Sequence, residues 1–175
     1  MKTKSYLEIK VPISLDAPWF CELREALKDI PVSWQKNYYH ITMAFINDTQ
    51  HLPEVEAIMH KYLDNARPVT LTFDTLDVFI TNTGMFIMNL TASHIPDEFQ
   101  KLVDDIRCDI CCTNSYMQSD FRLHVTLGRI AEPKNDIEEV GYLIDEIDLK
   151  PFTLTLNEVE YRLFRGRSIY KNLLQ

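Results

Sequence analysis

Two short segments of the chain share a pattern that can do acid–base chemistry. Residues 38–45 read Tyr-Tyr-His-Ile-Thr-Met-Ala-Phe, and residues 121–129 read Phe-Arg-Leu-His-Val-Thr-Leu-Gly-Arg. Each contains His-x-Thr with an apolar residue in the middle and apolar neighbours. His40 and His124 stand 84 positions apart, one in each half of the chain. An unperturbed imidazole titrates at a pKa of about 6.5. Of two that face each other across a groove, one can therefore accept a proton while the other donates one. That pairing suits attack on phosphorus with expulsion of an alkoxide. The hydroxyls of Thr42 and Thr126 can each donate to a non-bridging phosphate oxygen and stabilise the charge that develops there. The scheme requires no metal and no cofactor. Arg129, five residues past His124, adds a cation.

The elements that must carry these groups read as strands. Ile41, Phe45, Val125 and Ile130 are β-branched or aromatic, and neither segment contains proline. Side chains alternate faces along a strand. His40 and Thr42 then share one face, with Ile41 and Met43 on the other. His124 and Thr126 are likewise set against Val125 and Leu127. A single His-x-Thr in a strand is an ordinary accident of sequence. A pair in matching apolar frames, one in each half, calls for a function.

These residues resemble the two-histidine phosphoesterase superfamily, and within it the bacterial and archaeal 2′-5′ RNA ligase / 2′,3′-cyclic phosphodiesterase group. The resemblance rests on His40-Ile41-Thr42 followed by Ala44-Phe45-Ile46, on His124-Val125-Thr126-Leu127-Gly128-Arg129, and on the C-terminal run Leu163 to Leu173 around Arg165-Gly166-Arg167. It spans essentially the whole chain. It implies an α+β fold of two lobes related by a pseudo-twofold axis, with antiparallel sheets forming a central groove, helices outside, and one motif in each lobe. It implies further that one histidine is the general acid and the other the general base on a 2′,3′-cyclic phosphate. Carried over, His40 would protonate the leaving oxygen and His124 would activate water, although the two motifs are nearly symmetric in sequence. Thr42, Thr126 and Arg129 would bind the phosphate. Met43, Asn47 and Leu123 stand where the family often has Leu, Gly and Pro. These departures bear on substrate more than on reaction type.

Composition narrows the partners. The 175 residues include 18 Lys+Arg and 26 Asp+Glu, a net charge of −8. Such a chain gains nothing from bulk electrostatics on a long nucleic acid. No extended nucleic-acid surface is expected. A small basic groove around Arg122, Arg129, Arg165 and Arg167 remains, sized for a nucleotide or an RNA end carrying a cyclic phosphate. No apolar run is long enough to be a signal peptide or a membrane span, so a soluble cytoplasmic monomer is expected. Cys108, Cys111 and Cys112 have helical spacing, with no second ligand pair at finger spacing. They read as thiols on a buried helix face, and Cys21 stands alone.

Periodicity places an opening strand at 5–13 and a helix from Asp16-Ala17-Pro18, with the acidic residue as cap and Trp19, Leu23, Ala26, Leu27 and Ile30 on one stripe. The first His-x-Thr strand covers 39–46, followed by a helix at 52–65. Strands follow at 69–73, 78–81 and 85–91, the last two joined by a turn at Asn82-Thr83-Gly84. The second half repeats the order: a helix at 95–112, the second His-x-Thr strand at 122–130 and a helix at 135–147. Strands at 151–164 and 168–173 close the chain. No linker separates the halves, which read as lobes of one domain spanning 1–175. Tyr38, Phe164 and Tyr170 are candidates for stacking on a base, and Tyr39 is expected in the core. His51, His60 and His94 read as surface or capping residues. The alternatives to a cyclic phosphodiesterase are a nucleotide or RNA-end binding module without turnover, and a phosphodiesterase for another substrate such as a 2′-5′ oligonucleotide.

Overall fold

The computed structural model describes residues 2–117 and 119–175. In chain order the elements are β1 (Ser5–Lys10), α1 (Pro18–Ala26), β2 (Ser33–Trp34), β3 (His40–Ile46), α2 (Leu52–Leu63), β4 (Val69–Phe73), β5 (Thr75–Ile80), β6 (Phe86–Thr91), α3 (Asp97–Cys112), β7 (Val125–Ile130), α4 (Ile137–Asp145), β8 (Phe152–Leu156), β9 (Glu158–Leu163) and β10 (Ser168–Leu173). The main sheet runs β10-β9-β1-β3-β7-β6-β5, with β2 added beside β7, and its strands pair antiparallel. β4 and β8, one from each half, form a separate two-stranded sheet.

A local twofold axis organises the main sheet. β3 and β7 meet through Ile41 opposite Val125, the middle residues of the two His-x-Thr motifs. Outward from this pair the order is β3-β1-β9 on one side and β7-β6-β5 on the other. The fold is the two-lobed α+β arrangement that the family resemblance implies.

One face of the sheet carries the core. Leu7, Ile9, Ile41, Met43, Ile46, Met88, Leu90, Val125 and Leu127 are buried in one cluster with residues of all four helices. α2 contributes Val55, Ile58, Met59 and Leu63, and α3 contributes Phe99, Val103, Ile106 and Ile110, each at three-to-four-residue spacing. Burying a side chain of this size stabilises the fold by about 1.5–3 kcal/mol.

Several expectations are corrected. Cys108, Cys111 and Cys112 are exposed free thiols, because the stripe Phe99-Val103-Ile106-Ile110 turns them to the solvent side of α3. α1 is capped at Ala17 with no side-chain cap bond, so Asp16 does not take the capping role, although Pro18 does open the helix. The segment read as one strand at 151–164 divides at Asn157 into β8 and β9, which belong to different sheets. β2 is an element that the periodicity does not predict. It is two residues long and has no alternation to detect, and it exists because Ser33 and Trp34 pair with Arg129 and Gly128.

Candidate active site

Each motif strand contains an irregularity that sets which side chains reach the groove. Between β1 and β3 the register passes from Leu7 opposite Ala44 to Glu8 opposite Thr42, leaving Met43 as the extra residue of a bulge. Between β6 and β7 it passes from Met88 opposite Gly128 to Asn89 opposite Thr126, leaving Leu127 extra. A bulge resets the alternation of faces. His40, Thr42 and Phe45 are partly exposed on the groove face, while Ile41, Met43, Ala44 and Ile46 are buried. β7 repeats this, with Thr126 and Arg129 partly exposed and Val125, Leu127, Gly128 and Ile130 buried. Arg129 is thus the counterpart of Phe45 in the other lobe.

The antiparallel meeting of β3 and β7 sets Thr42 toward His124 and His40 toward Thr126. Thr42 and His124 line one cavity of about 360 Å³ together with Phe45, Phe79, Phe121 and Arg122. His124 lies immediately before β7. Its Nδ1 is 3.0 Å from the Arg122 carbonyl oxygen, which makes Nδ1–H the donor and leaves the Nε2 lone pair free. Phe79 packs edge-on to the imidazole with ring centroids 5.2 Å apart. Arg122 lies 4.1 Å over the Phe79 ring and pairs with Asp77 at 3.1 Å.

His40 is partly buried like His124, with different neighbours. Tyr38 lies against its ring with centroids 5.2 Å apart. Its Nε2 is 3.4 Å from Glu8 Oε1, and Arg162 Nη2 is 3.6 Å from the same oxygen. Glu8 is wholly buried, and neither carboxylate oxygen has a donor in full hydrogen-bond geometry. Burial holds Glu8 above the usual carboxylate range, opposed by Tyr38 and Arg162. Burial also pushes His40 down to about 4, helped by the charges of Arg162, His124 and Arg129. His124 is lowered too, chiefly by burial, with its bond to the Arg122 carbonyl acting in the opposite direction. Both shifts favour the neutral imidazole at pH 7. Arg129 is half-buried, and its Nη1 donates to Gln35 Oε1 at 3.2 Å.

The remaining sequence candidates are dispersed. Tyr170 faces away from the groove: it is 5% exposed, opposes buried Tyr161, and its hydroxyl donates to Asp64 Oδ1 at 2.9 Å. It offers no surface to a base. The Tyr38 ring is a wall of the His40 site. Phe164 sits at the rim, edge-on to Tyr6, which in turn stacks on Phe45. Arg165 packs over Phe164, and Arg167 lies beside Leu52, Pro53 and Glu56 near the start of α2, so this turn does not build the expected basic groove. Tyr39 is core, and His51, His60 and His94 are exposed, with His51 at the N-cap of α2. Glu8, Arg162 and Gln35 join the site without having been singled out by sequence. Glu8 alternates with Tyr6 and Lys10 on β1, and a charged residue centred in an opening strand was the available signal. Arg162 and Gln35 carry none, because strand pairing alone brings them in. Among the described residues, no group of three His, Cys, Asp or Glu side chains is placed to hold a metal ion, and no helix is long and apolar enough to cross a membrane.

Two lobes that each present His-x-Thr to one groove define the two-histidine phosphoesterase class. The chain belongs to the 2′-5′ RNA ligase superfamily, whose family model matches residues 13–167. Solved structures share the fold. Escherichia coli LigT complexed with 3′-AMP has a TM-score of 0.62 at 16% identity, over 100% of this chain and 99% of that one. TT0787 of Thermus thermophilus has a TM-score of 0.67 at 15% identity, over 98% and 97%. Kluyveromyces marxianus Usb1 with uridine monophosphate has a TM-score of 0.64 at 12% identity, over 98% of both chains. No curated protein sequence matches the chain.

Proposed function

We propose that the protein is a phosphodiesterase that opens a 2′,3′-cyclic phosphate, on an RNA end or a small nucleotide, by acid–base catalysis between His40 and His124. The observation that carries this reading is the twofold placement of His40-Thr42 and His124-Thr126 on one groove face, about the contact of Ile41 with Val125. With Nδ1–H committed to the Arg122 carbonyl, His124 presents Nε2 as a base toward an attacking water. As the P–O bond breaks, His40 protonates the departing ribose oxygen. The Thr42 and Thr126 hydroxyls and the Arg129 guanidinium donate to the non-bridging oxygens, where charge accumulates. No step calls on a metal. LigT and Usb1, solved with 3′-AMP and uridine monophosphate, support a nucleotide as the ligand class.

The test is hydrolysis of the four 2′,3′-cyclic nucleoside monophosphates in EDTA, comparing wild type with His40→Ala and His124→Ala. General acid–base groups contribute about 10²–10⁴-fold, so each variant is expected to lose at least about 100-fold. Full activity in either variant would sink the proposal. Nucleotide binding without turnover by the wild type would favour the binding-module reading, and turnover confined to 2′-5′ oligonucleotides would redirect the substrate assignment.

A further inference from the structure

We propose that Glu8 is the proton partner of His40: the two side chains share one proton across the Nε2–Oε1 contact, and Glu8 is thereby the positioning residue that makes His40, and not His124, the acid of the pair. The reaction part of this inference rests on the phosphodiesterase reading. The sharing of the proton does not.

Glu8 lies directly opposite Thr42, is 0% exposed, and sits 3.4 Å from the His40 imidazole. A buried carboxylate is costly unless it is neutral or paired. The titratable and charged groups around it are few. Tyr6 and Lys10 flank it along β1. His40 faces it from β3. Glu160 lies opposite it on β9, where Arg162 reaches its Oε1 at 3.6 Å. The Tyr38 hydroxyl is directed at it from the turn before β3. None of these groups closes into a hydrogen bond of full geometry, so burial, which favours the neutral acid, is opposed only in part by Tyr38 and Arg162.

The other lobe supplies the contrast. The twofold axis that maps Thr42 onto Thr126 maps Glu8 onto Asn89, since each follows the bulge on the neighbouring strand. Asn89 is equally buried, and its Nδ2 donates to the Asp77 carbonyl at 3.1 Å. An amide has the shape of a carboxyl but cannot take up or release a proton at these pH values. One histidine therefore has a proton reservoir beside it and the other has a backbone carbonyl. The symmetry that leaves the roles undecided in the motifs is broken one strand away.

In the free protein, burial disfavours the charged form of both groups, raising Glu8 and lowering His40, and the shared proton is assigned to Glu8. A phosphate anion seated between Thr42, Thr126 and Arg129 favours an imidazolium beside it. The Glu8 O–H bond then breaks and the His40 Nε2–H bond forms, leaving a carboxylate between the imidazolium and Arg162. The imidazolium gives up this Nε2 proton to the leaving ribose oxygen as the P–O bond breaks, since Nδ1 is buried, and His40 returns to its neutral form. His124 holds the proton taken from water and releases it to solvent, and the Glu8–His40 pair recovers one proton from solvent.

The experiment compares wild type, Glu8→Gln and Glu8→Asp by two readouts. The first is an NMR titration of the His40 imidazole in the free protein, its resonance assigned by its absence in His40→Ala. Wild type is expected to show two steps, one for each group of the coupled pair, and Glu8→Gln a single step. The second is the pH profile of cyclic-nucleotide hydrolysis. In Glu8→Gln the alkaline limb is expected to move to lower pH, costing about tenfold in rate at neutral pH for each unit moved. KM should change little, and Glu8→Asp should restore part of the rate. A wild-type rate and profile in Glu8→Gln, with an unchanged His40 titration, would overturn the proposal. If wild type hydrolyses no cyclic nucleotide, the titration alone still decides whether Glu8 and His40 share a proton. If wild type is active and Glu8→Gln is indistinguishable from it, the pair fails while the phosphodiesterase stands.

Discussion

Met43 and Leu127 are the extra residues of two bulges at the same place in the two lobes, and they put Phe45 and Arg129 at equivalent positions on the groove face. In a regular strand, a residue three past the threonine would point into the core. The bulge lets a cation follow His-x-Thr at that spacing and still reach the groove.

Arg129 should then report on phosphate binding. A hydrogen bond to a charged group contributes about 1.5–3 kcal/mol, so Arg129→Ala is expected to lower kcat/KM for a cyclic nucleotide by about 10–100-fold. Arg129→Lys should recover only part of this, because a guanidinium presents a fork and an ammonium a point. Gln35→Ala, which frees the guanidinium from its 3.2 Å bond to Gln35, should cost less than Arg129→Ala. Steady-state kinetics on the three variants check the order.

Gly128 is required by the approach of β2. A Cβ there would lie 2.7 Å from Val32 Cγ1 and 2.9 Å from Trp34 Cε3. Gly128→Ala must push β2 outward, and overpacking of this kind costs about 1–3 kcal/mol. Gln35 follows Trp34 and donates its backbone N–H to the Leu127 carbonyl at 2.8 Å, so Arg129 loses its support as well. The expected outcome is a lower Tm together with a raised KM. Gly141→Ala in α4 is the control. Its Cβ would meet only Val78 Cγ1, at 3.9 Å, and helix propensity should make it neutral or stabilising by about 0.5–1 kcal/mol.

The parts of this site legible in the sequence are those that follow from local alternation. His40 and Thr42 share a face because they stand two positions apart, and the buried Ile41 and Met43 lie where period two puts them. The parts that were not legible depend on register. Nothing local says that Glu8 stands opposite Thr42, that Arg162 follows two strands out, or that Ser33-Trp34 pairs with Arg129-Gly128. Tyr170 escapes sequence reading for the same reason. Its face depends on the register shift between β9 and β10, which turns it toward Asp64 on the helix side. The cysteines of α3 differ from expectation because their spacing does not say which side the larger apolar stripe will take.

Glu8 should trade stability for function. Burial raises its folded pKa above the ordinary value of 4.5. Its contribution to stability is then fully present below the unfolded value and is lost as pH rises through the folded value. Glu8→Gln keeps the shape and removes the titration. It should match wild type in Tm near pH 4 and gain on it as pH rises toward 8, while losing activity. Thermal unfolding at the two pH values checks the sign; a gain at pH 4 and none at pH 8 would contradict it.

The two histidines should respond to product. Burial and neighbouring cations lower both, His40 to about 4, so in the free protein both should titrate below an ordinary histidine. A bound phosphate monoester adds negative charge where Arg162, Arg129 and burial now disfavour the imidazolium, and a nearby anion favours the charged form. Saturating 2′- or 3′-nucleoside monophosphate is therefore expected to raise the pKa of His40 and of His124. His40 should move further, because it starts lower and has Glu8 beside it to supply the proton. By linkage the same nucleotide should bind more tightly as pH falls through the raised values. Imidazole chemical shifts followed from pH 3.5 to 8, with and without nucleotide, measure this directly. Unchanged titrations under saturation would mean that the phosphate does not sit between the two motifs.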